Sequence, residues 1–303
     1  MCTSIVLRKG GYFFGRNLDM DRHFGEKVVI MPKNYAFPFR NVSDNSRFAL
    51  VGMASLLDGV PLFADAMNEK GLAMAGLNFP GNAFYKKTGS GIAPWELIPY
   101  LLRNFATVRE VRKALTQVAL IDEVFREGIP NAPLHYHISD REESVVLEST
   151  REGVRIYDNP FDVMTNNPPF PFHRENMRQY SALSPVTPEG VNAFGEGFGG
   201  IGLPGDYSPA SRFVKAAYLV KNQIASESDM GGANQFFHIA GNVEMPKGSV
   251  ITRSGTLDYT IYASVMSGET GTYYFKTYED MAVRKVSLAD QDGEGKDLFV
   301  VAV

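Results

Sequence analysis

The chain has 303 residues, 44% of them hydrophobic and 21% charged, which is the balance of a globular protein with a sizeable core. Thirty basic against 34 acidic residues give a net charge of -4, which favours neither nucleic acid nor an anionic membrane as partner. A single cysteine excludes an internal disulfide, no apolar run approaches a membrane span, and the N-terminus lacks the layout of a secretion signal. The simplest expectation is a cytoplasmic protein.

In chain order, "CTSIVLR" and "GYFFGRNLD" flank the turn signal "KGG" and predict an opening hairpin. "FALVGMAS" and "GLAMAGLNF" read as strands buried on both faces. "APWELIPYLLRNFA" reads as a helix with Pro94 in its first turn. Thr107 and Glu110 have capping-box spacing ahead of an apolar face of Val108, Val111, Leu115 and Val118. "LHYHISD", "SVVLEST" and "GVRIYD" return to strand. The loop "FGEGFGGIGLPGD" precedes a helix in "SPASRFVKAAYLVKNQI", capped by Ser208 with Pro209 first. A helix in "GANQFFHIAGNV" leads to closing strands in "LDYTIYASV", "TYYFKTY" and "DLFVVAV". Hairpin-linked strands with clustered helices, and no linker between them, predict one α+β domain over 1–303.

Several motifs fall away on inspection. The glycine loop holds two G-x-G-x-x-G matches, from Gly195 and Gly200, but a proline and a further turn intervene before the helix. "NLDMD" has Arg22 and Val28 where a calcium loop needs glycine and glutamate. His135 and His137 alternate along a strand without a third ligand for zinc nearby. No motif calls for a metal or an organic cofactor.

Cys2 is left. If Met1 is removed, Cys2 carries a thiol and a free α-amine on one residue, and an α-amine with a pKa near 8 is partly neutral at pH 7. Such an amine serves as base for the adjacent nucleophile. Arg16 and Asp19 lie on the returning arm of the hairpin, beside Cys2 and among apolar residues. Arg16 would favour the thiolate and Asp19 would orient the amine. Acyl transfer also needs donors for an oxyanion, and Asn78 and Asn166, each at a strand end, are candidates. Arg212 falls in the first turn of its helix, where the helix dipole disfavours a cation by about 0.3–1 kcal/mol. Local rule-breaking of this kind points to function.

Taken together, "MCT", "FGRNLD", "FADAMNEKGLAMAGLNFPG", "TNNPPF" and "GGIGLPGDYSPASRF" resemble the choloylglycine hydrolase family along the whole chain, and its bile salt hydrolases most. The resemblance implies a four-layer αββα sandwich of two antiparallel sheets, the fold of N-terminal nucleophile hydrolases. It implies Cys2 as nucleophile after removal of Met1, with no propeptide. Arg16 and Asp19 would assist it, Asn78 and Asn166 would stabilise the tetrahedral intermediate, and Arg212 would complete the charged network. The implied substrates are bile acids conjugated to glycine or taurine, cleaved through a thioester. Leu18, Leu57, Ala64, Phe125, Ile129 and Leu134 would line the pocket, and the family's members are often homotetramers. Penicillin V acylases, the alternative, commonly carry tyrosine where Asn78 stands. Glutamine amidotransferases also begin at a cysteine, but the chain has no companion synthase domain. A binding protein with an inert Cys2 is the non-catalytic reading.

Overall fold

The computed structural model describes residues 1–45, 47–116, 118–190, 195 and 197–303. The expected hairpin forms from β1 (Cys2–Leu7) and β2 (Phe13–Met20), with Cys2 opposite Leu18 and Ser4 opposite Arg16. Then come β3 (Glu26–Met31), β4 (Leu50–Leu57), β5 (Val60–Asn68) and β6 (Ala73–Asn78). The helices α1 (Pro94–Asn104) and α2 (Val108–Leu115) follow, with Pro94 opening the first. The Thr107 hydroxyl accepts from the Glu110 amide at 3.2 Å, as its spacing predicts. The reciprocal leg differs: the Glu110 carboxylate reaches one residue further back, to the Ala106 amide at 2.7 Å. Val108, Val111 and Leu115 are buried, whereas Val118 lies beyond the helix and is half-buried.

The chain continues through β7 (Leu134–Ser139), β8 (Ser144–Thr150), β9 (Gly153–Asp158) and the short β10 (Val163–Met164). Among the described residues three α-helices follow: α3 (Phe170–Asn176), α4 (Pro209–Lys221) and α5 (Asp229–Gly241). Ser208 caps α4 as expected, its hydroxyl accepting from the Ser211 amide. The closing strands are β11 (Tyr259–Ser267), β12 (Thr272–Thr277), β13 (Arg284–Ser287) and β14 (Phe299–Ala302). In the glycine loop, Phe194 and Glu196 lie outside the described residues.

The strands form two antiparallel sheets, β10-β1-β2-β11-β12-β13 and β14-β3-β4-β5-β6-β7-β8-β9. Helices α4 and α5 cover the outer face of the first, and α1 covers β5 and β6 of the second. This is the α+β, four-layer αββα sandwich. Period-two alternation builds it, because successive strand side chains point to opposite faces. Val28 and Ile30 of β3 face the first sheet, while Val29 and Met31 face the α1 layer. Among the described residues, no helix is long and apolar enough to cross a membrane.

Candidate active site

The same alternation sorts the residues around Cys2. Ser4 bonds His137 of β7, so its face of β1 looks toward the second sheet. Cys2 shares that face, and Arg16 and Leu18 lie opposite on the neighbouring strand. Arg16 accordingly donates from Nη1 to the carbonyls of Gly76 at 2.7 Å and Ala64 at 3.1 Å, both in the second sheet. Thr3, Asn17 and Asp19 take the other face, toward the helices. Asn17 donates to the Ala240 carbonyl of α5 at 2.9 Å. Arg212 of α4 donates to the Thr3 hydroxyl at 2.6 Å.

Arg212 and Asn166 close the arrangement around the Cys2 backbone. The Cys2 amide donates to Asn166 Oδ1 at 2.7 Å, and Arg212 donates to that oxygen at 2.9 Å and to the Cys2 carbonyl at 2.6 Å. Asn166 Nδ2 donates one hydrogen to the Asn78 carbonyl at 2.8 Å. An amide carries two such hydrogens, and none of the described residues takes the other. Arg212 Nη1 also approaches Asp19 to 4.0 Å, and the Thr260 hydroxyl donates to the second Asp19 oxygen at 2.6 Å. The Met1 ammonium donates to the Asp19 carbonyl at 2.5 Å and pairs with Asp258 at 3.2 Å.

Burial dominates the electrostatics. It pushes the Asp19 carboxyl up, opposed by Arg212, the terminal ammonium and Thr260. It pulls Arg212 below the usual arginine range, opposed by Asp19, Cys2 and Asp258. Burial would lower Arg16 too, but Cys2, Tyr262, Asp65 and Asp19 outweigh it and hold the guanidinium above its ordinary value.

Cys2, Arg16, Leu18, Asp19 and Asn78 open onto one cleft of about 710 Å³. Ala64, Ile129 and Leu134 also line it, joined by Phe24, Leu62 and Phe63, which the sequence did not single out. Leu57 and Phe125 lie outside the lining. Leu57 ends β4 at a tight turn, and Phe125 is turned edge-on to Trp95, with Arg40 over its ring. Also unforeseen are Thr260, Asp258 and a buried trio of Asp65, Tyr262 and Tyr273. Asp65 does carry a readable signal, a charge inside the apolar run "LFADAM".

The two histidines of β7 are held by protein groups. His135 contacts Glu148 at 3.2 Å and the Thr165 carbonyl at 3.0 Å, and stacks on Phe79. His137 lies between Ser4 and Ser144, where burial pulls its imidazole down to about 3. Among the described residues, no group of three His, Cys, Asp or Glu side chains could hold a metal ion.

Residues 2–301 match the model of the linear amide C-N hydrolases, choloylglycine hydrolase family. The chain belongs to the choloylglycine hydrolase family. The family match begins at Cys2, and the chain is a linear amide C-N hydrolase. It is 42% identical to a bile salt hydrolase/transferase from Lactiplantibacillus plantarum, covering 95% of this chain and 92% of the relative. A solved variant of conjugated bile acid hydrolase from Clostridium perfringens superposes with a TM-score of 0.90 at 36% identity, covering 100% and 97% of the two chains. Penicillin V acylase from Agrobacterium tumefaciens, at 20% identity and a TM-score of 0.79 over 99% and 91%, shares the fold.

Proposed function

We propose that the chain hydrolyses the amide bond of glycine- or taurine-conjugated bile salts, with Cys2 as nucleophile once Met1 is removed. The observation that carries this reading is the Cys2 nitrogen, 2.7 Å from Asn166 Oδ1, on a residue that lines the cleft. Removing Met1 converts that nitrogen from an amide into an α-amine already held in place. The amine takes the thiol proton, and the thiolate attacks the substrate carbonyl carbon, forming the C–S bond. The carbonyl electron pair moves onto oxygen, where Asn78 and the uncommitted Asn166 N–H donate. Collapse breaks the C–N bond, and the leaving amine takes its proton from the α-ammonium. Water, deprotonated by the same amine, then attacks the thioester and releases the bile acid.

Arg16 supplies positive charge on the sulfur's face of the sheet. Asp19 and Arg212 hold the amine side. Leu18, Ala64, Ile129 and Leu134 offer the apolar surface that a steroid needs; Leu57 and Phe125 are left out of that role. The named activities of the Lactiplantibacillus and Clostridium relatives support the substrate class. A core running from α4 and α5 through the first sheet to the facing side of the second supports reading 1–303 as one domain. From the family resemblance we also propose a cytoplasmic homotetramer, which light scattering would size.

The test is turnover of glycocholate, taurocholate and penicillin V by the parent and by Cys2→Ala. The parent should favour the bile salts, and Cys2→Ala should be inactive at an unchanged melting temperature. Faster cleavage of penicillin V would overturn the substrate class, and hydrolysis by Cys2→Ala would overturn the nucleophile.

A further inference from the structure

Arg16 is fully buried, and its Nε and Nη2 have no hydrogen-bond partner among the described residues. A buried cation needs opposing charge. On the proposed reading the Cys2 sulfur is negative as thiolate but neutral as thioester, so it cannot serve through the whole cycle.

The second sheet holds a permanent candidate. Asp65 of β5 is fully buried and accepts from the Tyr262 hydroxyl of β11 at 2.5 Å and the Tyr273 hydroxyl of β12 at 2.7 Å. Three strands in two sheets thus converge on one carboxylate. The backbone next to it is shaped toward Arg16. Met53 of β4 pairs with Asp65 but Ala54 pairs with Phe63, so Ala64 is an extra residue, a β-bulge. The bulged Ala64 carbonyl is one of the two that accept from Arg16.

We infer that Asp65, fixed by Tyr262 and Tyr273, is a positioning residue that holds Arg16 in place and shares its charge with Cys2. This rests on Cys2 being the nucleophile. The interactions agree, since Asp65 is among the charges acting on Arg16, and Arg16 leads those that oppose the upward push of burial on Asp65. The other titratable groups around Arg16 and Cys2 are Tyr262 on β11, Asp19 on β2, Arg212 on α4, Asp258 ahead of β11 and the terminal amine. With Asp65 neutralised, Arg16 has the sulfur as its main nearby counter-charge in the space between the sheets, which favours the thiolate. Whenever the sulfur is neutral, the guanidinium then keeps only its bonds to the Gly76 and Ala64 carbonyls and has no facing counter-charge.

The experiment uses full-length protein whose loss of Met1 is confirmed by mass. The rate of iodoacetamide labelling of Cys2 is followed against pH for the parent, Asp65→Asn and Tyr273→Phe, with kcat and KM on glycocholate. Asp65→Asn should move the midpoint of the labelling curve to lower pH by about one unit and reduce kcat about tenfold with little change in KM. Tyr273→Phe, which removes one donor from the carboxylate, should move the midpoint in the same direction by less. If Asp65→Asn does not fold, Tyr273→Phe decides alone. An unmoved midpoint in the folded variants overturns the proposal. A parent that is not labelled at any pH overturns instead the reading of Cys2 as nucleophile.

Discussion

Arg212 occupies the end of a helix least suited to a cation, and its contacts show what compensates. The guanidinium donates to the Tyr207 and Cys2 carbonyls, the Thr3 hydroxyl and Asn166 Oδ1, and faces Asp19. Only a planar fork satisfies so many acceptors at once, and an ammonium group is a point charge. Arg212→Lys should keep the positive charge but lose the fixed position of Cys2 and Asn166. We expect kcat/KM on glycocholate to fall about 100-fold, the scale of a small misplacement of reacting groups. A fall of less than about threefold, in a variant that melts like the parent, would show that charge alone suffices. Residues that break a local rule were legible in the sequence: a thiol at the terminus, Arg16 and Asp19 in an apolar strand, Arg212 against its dipole. Thr260, Asp258, Tyr262 and Tyr273 were not. They obey local rules and meet the site only through contacts distant in sequence, such as the hydrogen bond from Tyr262 to Asp65 across the two sheets.

At the level of elements, the opening hairpin, α1, α4 and the closing strands were legible because turn, cap and alternation signals agreed with tertiary packing. The run from Val60 to Asn68 was not read as a strand. Pro61 is its second residue, Asp65 interrupts its apolar character, and the bulge at Ala64 breaks the period of two. The bulge nonetheless fixes β5 against β4 at Gly52. A Cβ there would lie 2.1 Å from the Asp65 carbonyl oxygen and 2.7 Å from the Ala66 Cα, both backbone atoms that cannot turn aside. Gly52→Ala should therefore push the two strands apart and cost about 3 kcal/mol, the upper range for overpacking. The urea midpoint measures this. Because Asp65 lies at the point of contact, the labelling curve of Cys2 should move together with the midpoint. Unchanged stability would mean that β4 and β5 yield at that point without cost.

Across the whole molecule, the two sheets are joined by buried polar links as well as apolar packing, and these give stability its pH dependence. His137 of the second sheet bonds Ser4 of the first at 2.9 Å and Ser144 at 2.6 Å while fully buried. Burial first, then the charge of Arg8, lowers its pKa from 6.5 to about 3. His135 and His173 are also lowered, chiefly by burial. As pH falls through 6.5 the unfolded His137 takes a proton, and the folded one does not until about 3. Between those values the unfolded state binds more protons, so falling pH favours unfolding. Stability is complete above 6.5 and is lost toward 3, by about 1.4 kcal/mol per pH unit from this residue. Urea unfolding at neutral pH and near pH 5 should show the loss. His137→Gln, less stable than the parent at neutral pH by about 1–3 kcal/mol for its imperfect hydrogen bonds, should lose less on acidification. An equally steep fall would move the acid sensitivity to His135 or His173, whose imidazoles burial also lowers. A buried neutral imidazole between the sheets thus ties the working pH range of the fold to the face of β1 that carries Cys2.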